Sequence, residues 1–187
     1  EMLQRVGPRA RRSRTTRPPL ARGDITRLPF ADERFRLVMA PYGMLQSLLS
    51  DVVLGRTIRE AWRVLEPGGV LGVDLVPDVP RWREYTRKVV FFSPAGPRGL
   101  PITLRETVRQ DRDRGVTTFE QEYIEGRGKA RRVTPFTIRF RTLPLPAIAA
   151  RLERAGFQVE AVLGDYRGTP WDRRADVWLL IARKPTC

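Results

Sequence analysis

Along the chain the apolar positions change period several times. Residues 35–40 (FRLVMA) form a compact apolar run with turn residues on both sides. A run of that length suits a strand buried on both faces. Ser50 or Asp51 can cap the helix that follows. Leu54, Ile58, Ala61, Trp62 and Leu65 then recur at helical spacing and define one apolar stripe. Pro67-Gly68-Gly69 predicts a sharp end to that helix. Residues 70–76 (VLGVDLV) read as a second buried strand. Strand, helix, tight turn and strand make a βαβ unit, which implies a parallel pair with a right-handed crossover.

The pattern shifts in the middle. Residues 102–110, 116–124 and 133–141 are rich in Thr, Val, Ile and aromatics, with Asp113-Arg114-Gly115 and Gly126-Arg127-Gly128 between them. These predict a three-stranded antiparallel insert over about residues 100–142. Helical spacing then returns. Pro146 near a helix start, Ile148 and Leu152 on one face, and Gly156 past the end predict a short helix. Residues 157–163 and 177–182 read as the last two strands, and residues 20–25 as a short first one. The expected architecture is a single α/β domain over 1–187, a layered sheet with an antiparallel β insert.

Composition narrows the chemistry. The chain has 187 residues, no His and one Cys, Cys187. This removes Ser-His and Cys-His pairs, His-bearing metal sites and internal disulfides. No metal is expected. No apolar run is long enough to span a bilayer, and the absence of an apolar leader fits a cytoplasmic protein. Basic residues outnumber acidic ones, 35 to 21, giving a formal charge of +14. A nucleic-acid surface is one reading of that excess. A solvated basic surface is the favoured one, because the densest cluster, Arg9, Arg11, Arg12, Arg14 and Arg17, has no interleaved aromatics. Residues 1–18 are expected to be weakly ordered, since that cluster repels itself.

Three stretches carry the functional signal. In Gly23-Asp24-Ile25-Thr26-Arg27-Leu28-Pro29-Phe30, a carboxylate precedes an apolar side chain that can lie on a flat ring. The plain alternative is an Asp that shapes a turn. Ala40-Pro41-Tyr42-Gly43 sits at the carboxyl end of a parallel strand, where open sheets bind ligands. There Tyr42 and Met44 either serve a ligand or pack the core. Arg63-Val64-Leu65-Glu66-Pro67-Gly68-Gly69-Val70 leads into the strand carrying Asp74.

In this order the three stretches resemble the class I S-adenosylmethionine-dependent methyltransferases. Leu152-Glu153-Arg154-Ala155-Gly156-Phe157 is similar to that family's helix into its sixth strand, and residues 177–182 to its reversed seventh. The resemblance implies a Rossmann-like sheet and S-adenosyl-L-methionine as cofactor. It implies Asp24 on the adenine amino group, Ile25 on the ring, and Ala40 and Pro41 at the methionine end. Tyr42, Gln46, Tyr123 and Tyr166 would serve the acceptor. Asp74, with Tyr42, would be catalytic, Asp74 as a base or instead as a turn cap. The family's first strands, Gly-rich loop and ribose carboxylate have no counterpart here. The sheet is therefore expected to be incomplete, the chain truncated at its N-terminus, and its own affinity for cofactor weak.

The activity so implied is methyl transfer to a small molecule. Transfer to RNA is the first alternative, and a non-catalytic basic binding or dimerisation protein the second. The resemblance places the insert where small-molecule methyltransferases build a lid or a dimer contact, so a homodimer through it is one expectation and a lid the other.

Overall fold

The computed structural model describes residues 19–76, 83–96, 98–128, 131–172, 175 and 177–186. The segment expected to be weakly ordered, 1–18, lies outside the described residues. The elements are β1 (Phe35–Ala40), a 3-10 turn (Met44–Ser47), α1 (Asp51–Val64), β2 (Leu65–Leu75), β3 (Tyr85–Ser93), β4 (Ile102–Asp111), β5 (Val116–Glu125), β6 (Arg132–Arg141), α2 (Leu145–Arg154), β7 (Gln158–Leu163) and β8 (Trp178–Arg183). They form two four-stranded sheets, ordered β1-β2-β8-β7 and β3-β4-β5-β6.

In the first sheet β1 and β2 are parallel, as the βαβ pattern predicts. β8 runs antiparallel to both β2 and β7. The register puts Val38 and Ala40 of β1, Leu71, Val73 and Leu75 of β2, and Trp178, Leu180 and Ala182 of β8 on one face. Leu54 and Ile58 of α1 and Ile148 and Leu152 of α2 pack against that face and complete the core. Both helices thus cover the same face. On the opposite face Leu37 and Met39 of β1 are exposed, Met39 by 68%.

Three expectations need correction. Residues 20–25 do not form a strand; there is only an isolated bridge between Asp24 and Arg27. The side chain of Asp24 binds its own turn instead of leaving the backbone free to pair. The Pro67-Gly68-Gly69 turn does not end α1, which stops at Val64, and β2 begins at once. The three residues lie in a register shift against β1, where Phe35 faces Leu65 and Leu37 faces Val70. Gly68, at φ +78°, makes that step. Lys184 closes the helix end. Its ammonium donates to the carbonyls of Leu65 (2.8 Å) and Trp62 (3.2 Å) and lies 5.0 Å above the Trp62 ring.

The third correction concerns the antiparallel sheet. It has four strands, because β3 joins the three expected ones, and it starts at Tyr85 rather than at residue 100. β3 escaped notice because its pairing with β4 shifts register twice and Arg87 adopts φ 52°. Such irregularities break the period-2 pattern by which a strand is read. The last strand, β6, runs beside the 3-10 turn. Arg141 at its end binds the Leu49 carbonyl (3.3 Å) and the Asp51 carboxylate (2.6 Å) at the start of α1.

Candidate active site

The carboxyl ends of β1 and β2 lie side by side, and the chain leaving β1 turns back over β2. Tyr42 and Gly43 make that turn, both in the left-handed region, at φ 59° and 62°. A non-glycine residue there is uncommon. At Gly43 a side chain is also excluded by space, because a Cβ would meet Gln46 Oε1 at 2.8 Å. The Gly43 amide donates to Asp74 Oδ1 at 2.8 Å. Gln46 is buried and grips β2 from the other side. Its amide nitrogen donates to the Val76 carbonyl (3.0 Å), and its Oε1 accepts from the Val76 amide (2.8 Å). One carboxylate and one amide therefore lock the turn after β1 onto the end of β2.

The second oxygen of Asp74 meets a different segment. Tyr166, in the loop after β7, donates its hydroxyl to Oδ2 at 2.8 Å. The Asp165 carboxylate organises that loop by accepting from the amides of Arg167 and Thr169 and from the Thr169 hydroxyl. The hydrogen bond to Asp74, burial and the Asp74 charge raise the pKa of Tyr166, with a smaller push from nearby Tyr42. Tyr166 is thus held as a phenol. Asp74 is 7% exposed, while Tyr42 and Tyr166 are 87% and 73% exposed. Two open phenol rings flank one buried carboxylate.

A second cluster lies at the outer edge of β1. Thr26 donates its amide and its hydroxyl to Asp24 Oδ1, each at 2.8 Å. These bonds lower the Asp24 pKa, and among the described residues Oδ2 has no hydrogen-bond partner. Ile25 turns the other way and lines an apolar cavity of about 160 Å³ with Leu28, Val38, Ala40, Met44 and Ile58. Pro41 is exposed beside it. The loop carrying Asp24 is tied to α1 through Arg63, whose guanidinium donates to the carbonyls of Leu28 and Phe30 and to Asp32 and Glu60.

The structure thus brings Asp74, Tyr42 and Tyr166 together, and Ile25 and Ala40 together. It turns Gln46 inward, where both ends of its amide are used. Tyr123 sits on β5 in the other sheet, paired with Leu104 and Thr134. Among the described residues no hydrogen bond joins it to Asp74. Sequence reasoning missed the Gly43 amide as a donor to Asp74. The signal was present, since Gly directly after a strand-end Tyr allows a left-handed turn. It also missed the role of Asp165, which only the folded loop displays.

Comparisons with known proteins bear on the fold that carries these clusters. Residues 1–69 match the family model described as a methyltransferase domain. No curated protein matches the sequence. Among solved structures, an S-adenosylmethionine-dependent methyltransferase from Clostridium acetobutylicum superposes with a TM-score of 0.77 at 12% identity, over 98% of this chain and 71% of that one. The sugar N-methyltransferase KedS8 from Streptoalloteichus sp. superposes with a TM-score of 0.69 at 19% identity, over 92% of this chain and 64% of that one. CalS10 from Micromonospora echinaspora, an amino pentose methyltransferase solved with S-adenosylmethionine bound, gives 0.60 at 18% identity, over 87% and 63%. The chain therefore spans less than two thirds of the length of the last two. Residues 1–69 thus carry the signature of a methyltransferase domain, and the described fold is that of the S-adenosylmethionine-dependent methyltransferases it superposes on.

Proposed function

We propose that the chain forms the acceptor side, and the adenine edge, of a site that methylates a small-molecule amine or hydroxyl. The observation that carries this is the meeting of Asp74, Tyr166 and Tyr42 at the end of a parallel strand pair. The cofactor fits the second cluster. Asp24 offers a free carboxylate oxygen for an exocyclic amine, and the cavity lined by Ile25, Ala40 and Met44 is apolar, as a flat ring requires. When bound, S-adenosylmethionine supplies a methyl group on a sulfonium, a leaving group that needs no protonation.

The work left to the protein is mainly positioning. Tyr166 donates its proton to Asp74, so its oxygen lone pairs are free to accept an N–H or O–H from the acceptor. Tyr42 offers a second phenol on the same side. Together they aim the lone pair of the nucleophile. As the acceptor loses its proton to Tyr166, Tyr166 can pass its own to Asp74, which makes Asp74 the base at one remove. Tyr166 does not need to ionise, in keeping with its raised pKa. Both oxygens of Asp74 already hold donors, so direct contact with the acceptor is not its part. The sugar substrates named for KedS8 and CalS10 favour a polyhydroxylated or amino-bearing acceptor.

The test is transfer of labelled methyl from S-adenosylmethionine to panels of amino sugars, simple amines, alcohols and RNA. Labelling of a small molecule, lost on Asp74→Asn, supports the reading. Labelling confined to RNA sinks it. The antiparallel sheet is the proposed homodimer contact, because its edge strand β3 exposes Val89, Phe91 and Phe92. Sedimentation at rising concentration checks that.

A further inference from the structure

The groove between α1 and α2 holds a cavity of about 280 Å³. Asp51, Gly55, Ile58 and Arg59 of α1 wall it on one side, and Arg151 and Arg154 of α2 on the other. Three guanidiniums face a single carboxylate there. Asp51 is already committed, accepting from Arg141 at 2.6 Å and from Arg151 at 3.0 Å. These two arginines hold its pKa below the ordinary carboxylate range. Among the described residues Arg59 and Arg154 have no ion-pair partner.

Elsewhere in the described fold Arg63 meets Glu60 and Asp32, Arg105 meets Glu122, and Arg183 meets Glu160, whereas Arg59 and Arg154 line one groove together without such a partner. A basic side chain in the last turn of α2 is favoured by the helix dipole, which accounts for Arg151 and Arg154. It does not account for Arg59, which stands in the middle of α1. Arg151 and Arg154 are three apart and share one helix face, and both line the groove that Arg59 lines from α1. Gly55 lies in the groove wall, where a Cβ would meet Arg59 Nη1 at 3.6 Å and nothing else within 4 Å. Ile58 backs the floor with apolar surface, which strengthens any charge pairing above it.

We propose that this groove binds a phosphate group, free or as the monoester of a small molecule. Planar guanidinium forks match the oxygens of phosphate two at a time, which a lone ammonium cannot do. Binding would draw Arg59 and Arg154 together and share Arg151 between Asp51 and the ligand. The site is separate from the Asp74 cluster, and the proposal stands whether or not that cluster methylates anything.

The experiment is calorimetry of the intact chain with inorganic phosphate, at ionic strength held constant with chloride. Saturable binding to one site is expected. Arg59→Gln with Arg154→Gln should weaken it at least tenfold. A control pair with the same loss of charge, Arg22→Gln with Arg132→Gln, should leave it within twofold. If the first pair does not fold, Arg154→Lys is measured instead. It keeps the charge and loses the fork, and should still weaken binding about threefold. Phenyl phosphate binding more tightly than inorganic phosphate assigns the site to a phosphate monoester. Equal affinity assigns it to the free oxyanion. Heat that chloride reproduces, or equal weakening by both pairs of substitutions, overturns the proposal, as does an unchanged Arg154→Lys.

Discussion

The two sheets of this protein are held together in different ways. The mixed sheet β1-β2-β8-β7 rests on side chains that water does not reach. Leu54, Leu65, Leu75, Ile148, Leu152 and Leu180 are all fully buried, and one cluster joins them. In the antiparallel sheet Val108 is the fully buried apolar residue of the strands, while Phe91, Phe92, Tyr123 and Phe136 stand half in solvent. Cross-strand polar pairs take a larger share there. Glu106 accepts from the Tyr85 hydroxyl and from the Gln121 amide, each at 2.5 Å, and Arg105 pairs with Glu122 at 2.7 Å. The lesson is a division of labour. The mixed sheet is a rigid frame that fixes the Asp74 cluster, and the antiparallel sheet is an appended surface with apolar area left to cover.

The sharpest way to break this comparison is to cut one large apolar side chain from each sheet. Leu180→Ala should lose about 2–5 kcal/mol of stability in denaturant titration, through lost burial and the cavity left behind. Phe136→Ala, more than half exposed, should change stability by no more than about 0.5 kcal/mol. Similar losses from the two would show that the antiparallel sheet has a core of its own.

If the mixed sheet is the frame of an active site, its buried polar groups should affect rate more than folding. Asp74→Asn should lower turnover about a hundredfold, with cofactor affinity within about twofold. The amide keeps an acceptor for Gly43 but presents an N–H to Tyr166, so the phenol proton turns outward to the acceptor. Tyr166→Phe should cost less, about tenfold, because Tyr42 remains. Parallel losses of turnover and cofactor affinity would make Asp74 a structural latch.

The polar support of the antiparallel sheet can be read from one phenol. The hydrogen bond to Glu106, with burial and the Glu106 charge, pushes the pKa of Tyr85 up to about 12. A raised folded-state pKa means that this contribution to stability is fully present below the unfolded value near 10 and fades as pH rises from there to about 12. Ultraviolet titration should show two late tyrosines, Tyr85 and Tyr166. Glu106→Gln should return Tyr85 toward 10 and leave Tyr166 late, and two late tyrosines in that variant would assign the shift to another residue.

The smallest effect is expected at the joint. Asp51 ties β6 to both helices through Arg141 and Arg151. Asp51→Asn should speed amide exchange in β6 severalfold and leave β8 unchanged. Because the pKa of Asp51 is lowered, this tie persists above the ordinary carboxylate value and is lost as pH falls through the depressed one. Equal acceleration in both strands would mean the sheets open as one unit.

How much of this the sequence held varies with the range of the forces involved. Short-range apolar patterning gave β1, α1, β7, β8 and the parallel pair, because burial on a fixed period leaves its mark on neighbouring residues. It gave the strand-end positions of Asp74 and Tyr42 for the same reason. Other features were set by partners far along the chain. Asp24, placed at a strand end from its motif, spends one oxygen on Thr26, a local competition that outweighed pairing. Gln46, expected to face an acceptor, is taken up by the Val76 backbone thirty residues away. β3 stayed hidden because bulges erased its alternation.

By itself, then, the sequence determined the element types, the order of the motifs and the absence of imidazole chemistry, since these depend on residue identity and local spacing. Only the tertiary structure decided that Tyr166 reaches Asp74 across 92 residues, that both helices cover one face, and that Arg59 and Arg154 line one groove. Each of these is a meeting of distant segments. Hydrogen bonds and charge pairs act over a few ångströms of space, and one-dimensional spacing does not record which segments come that close.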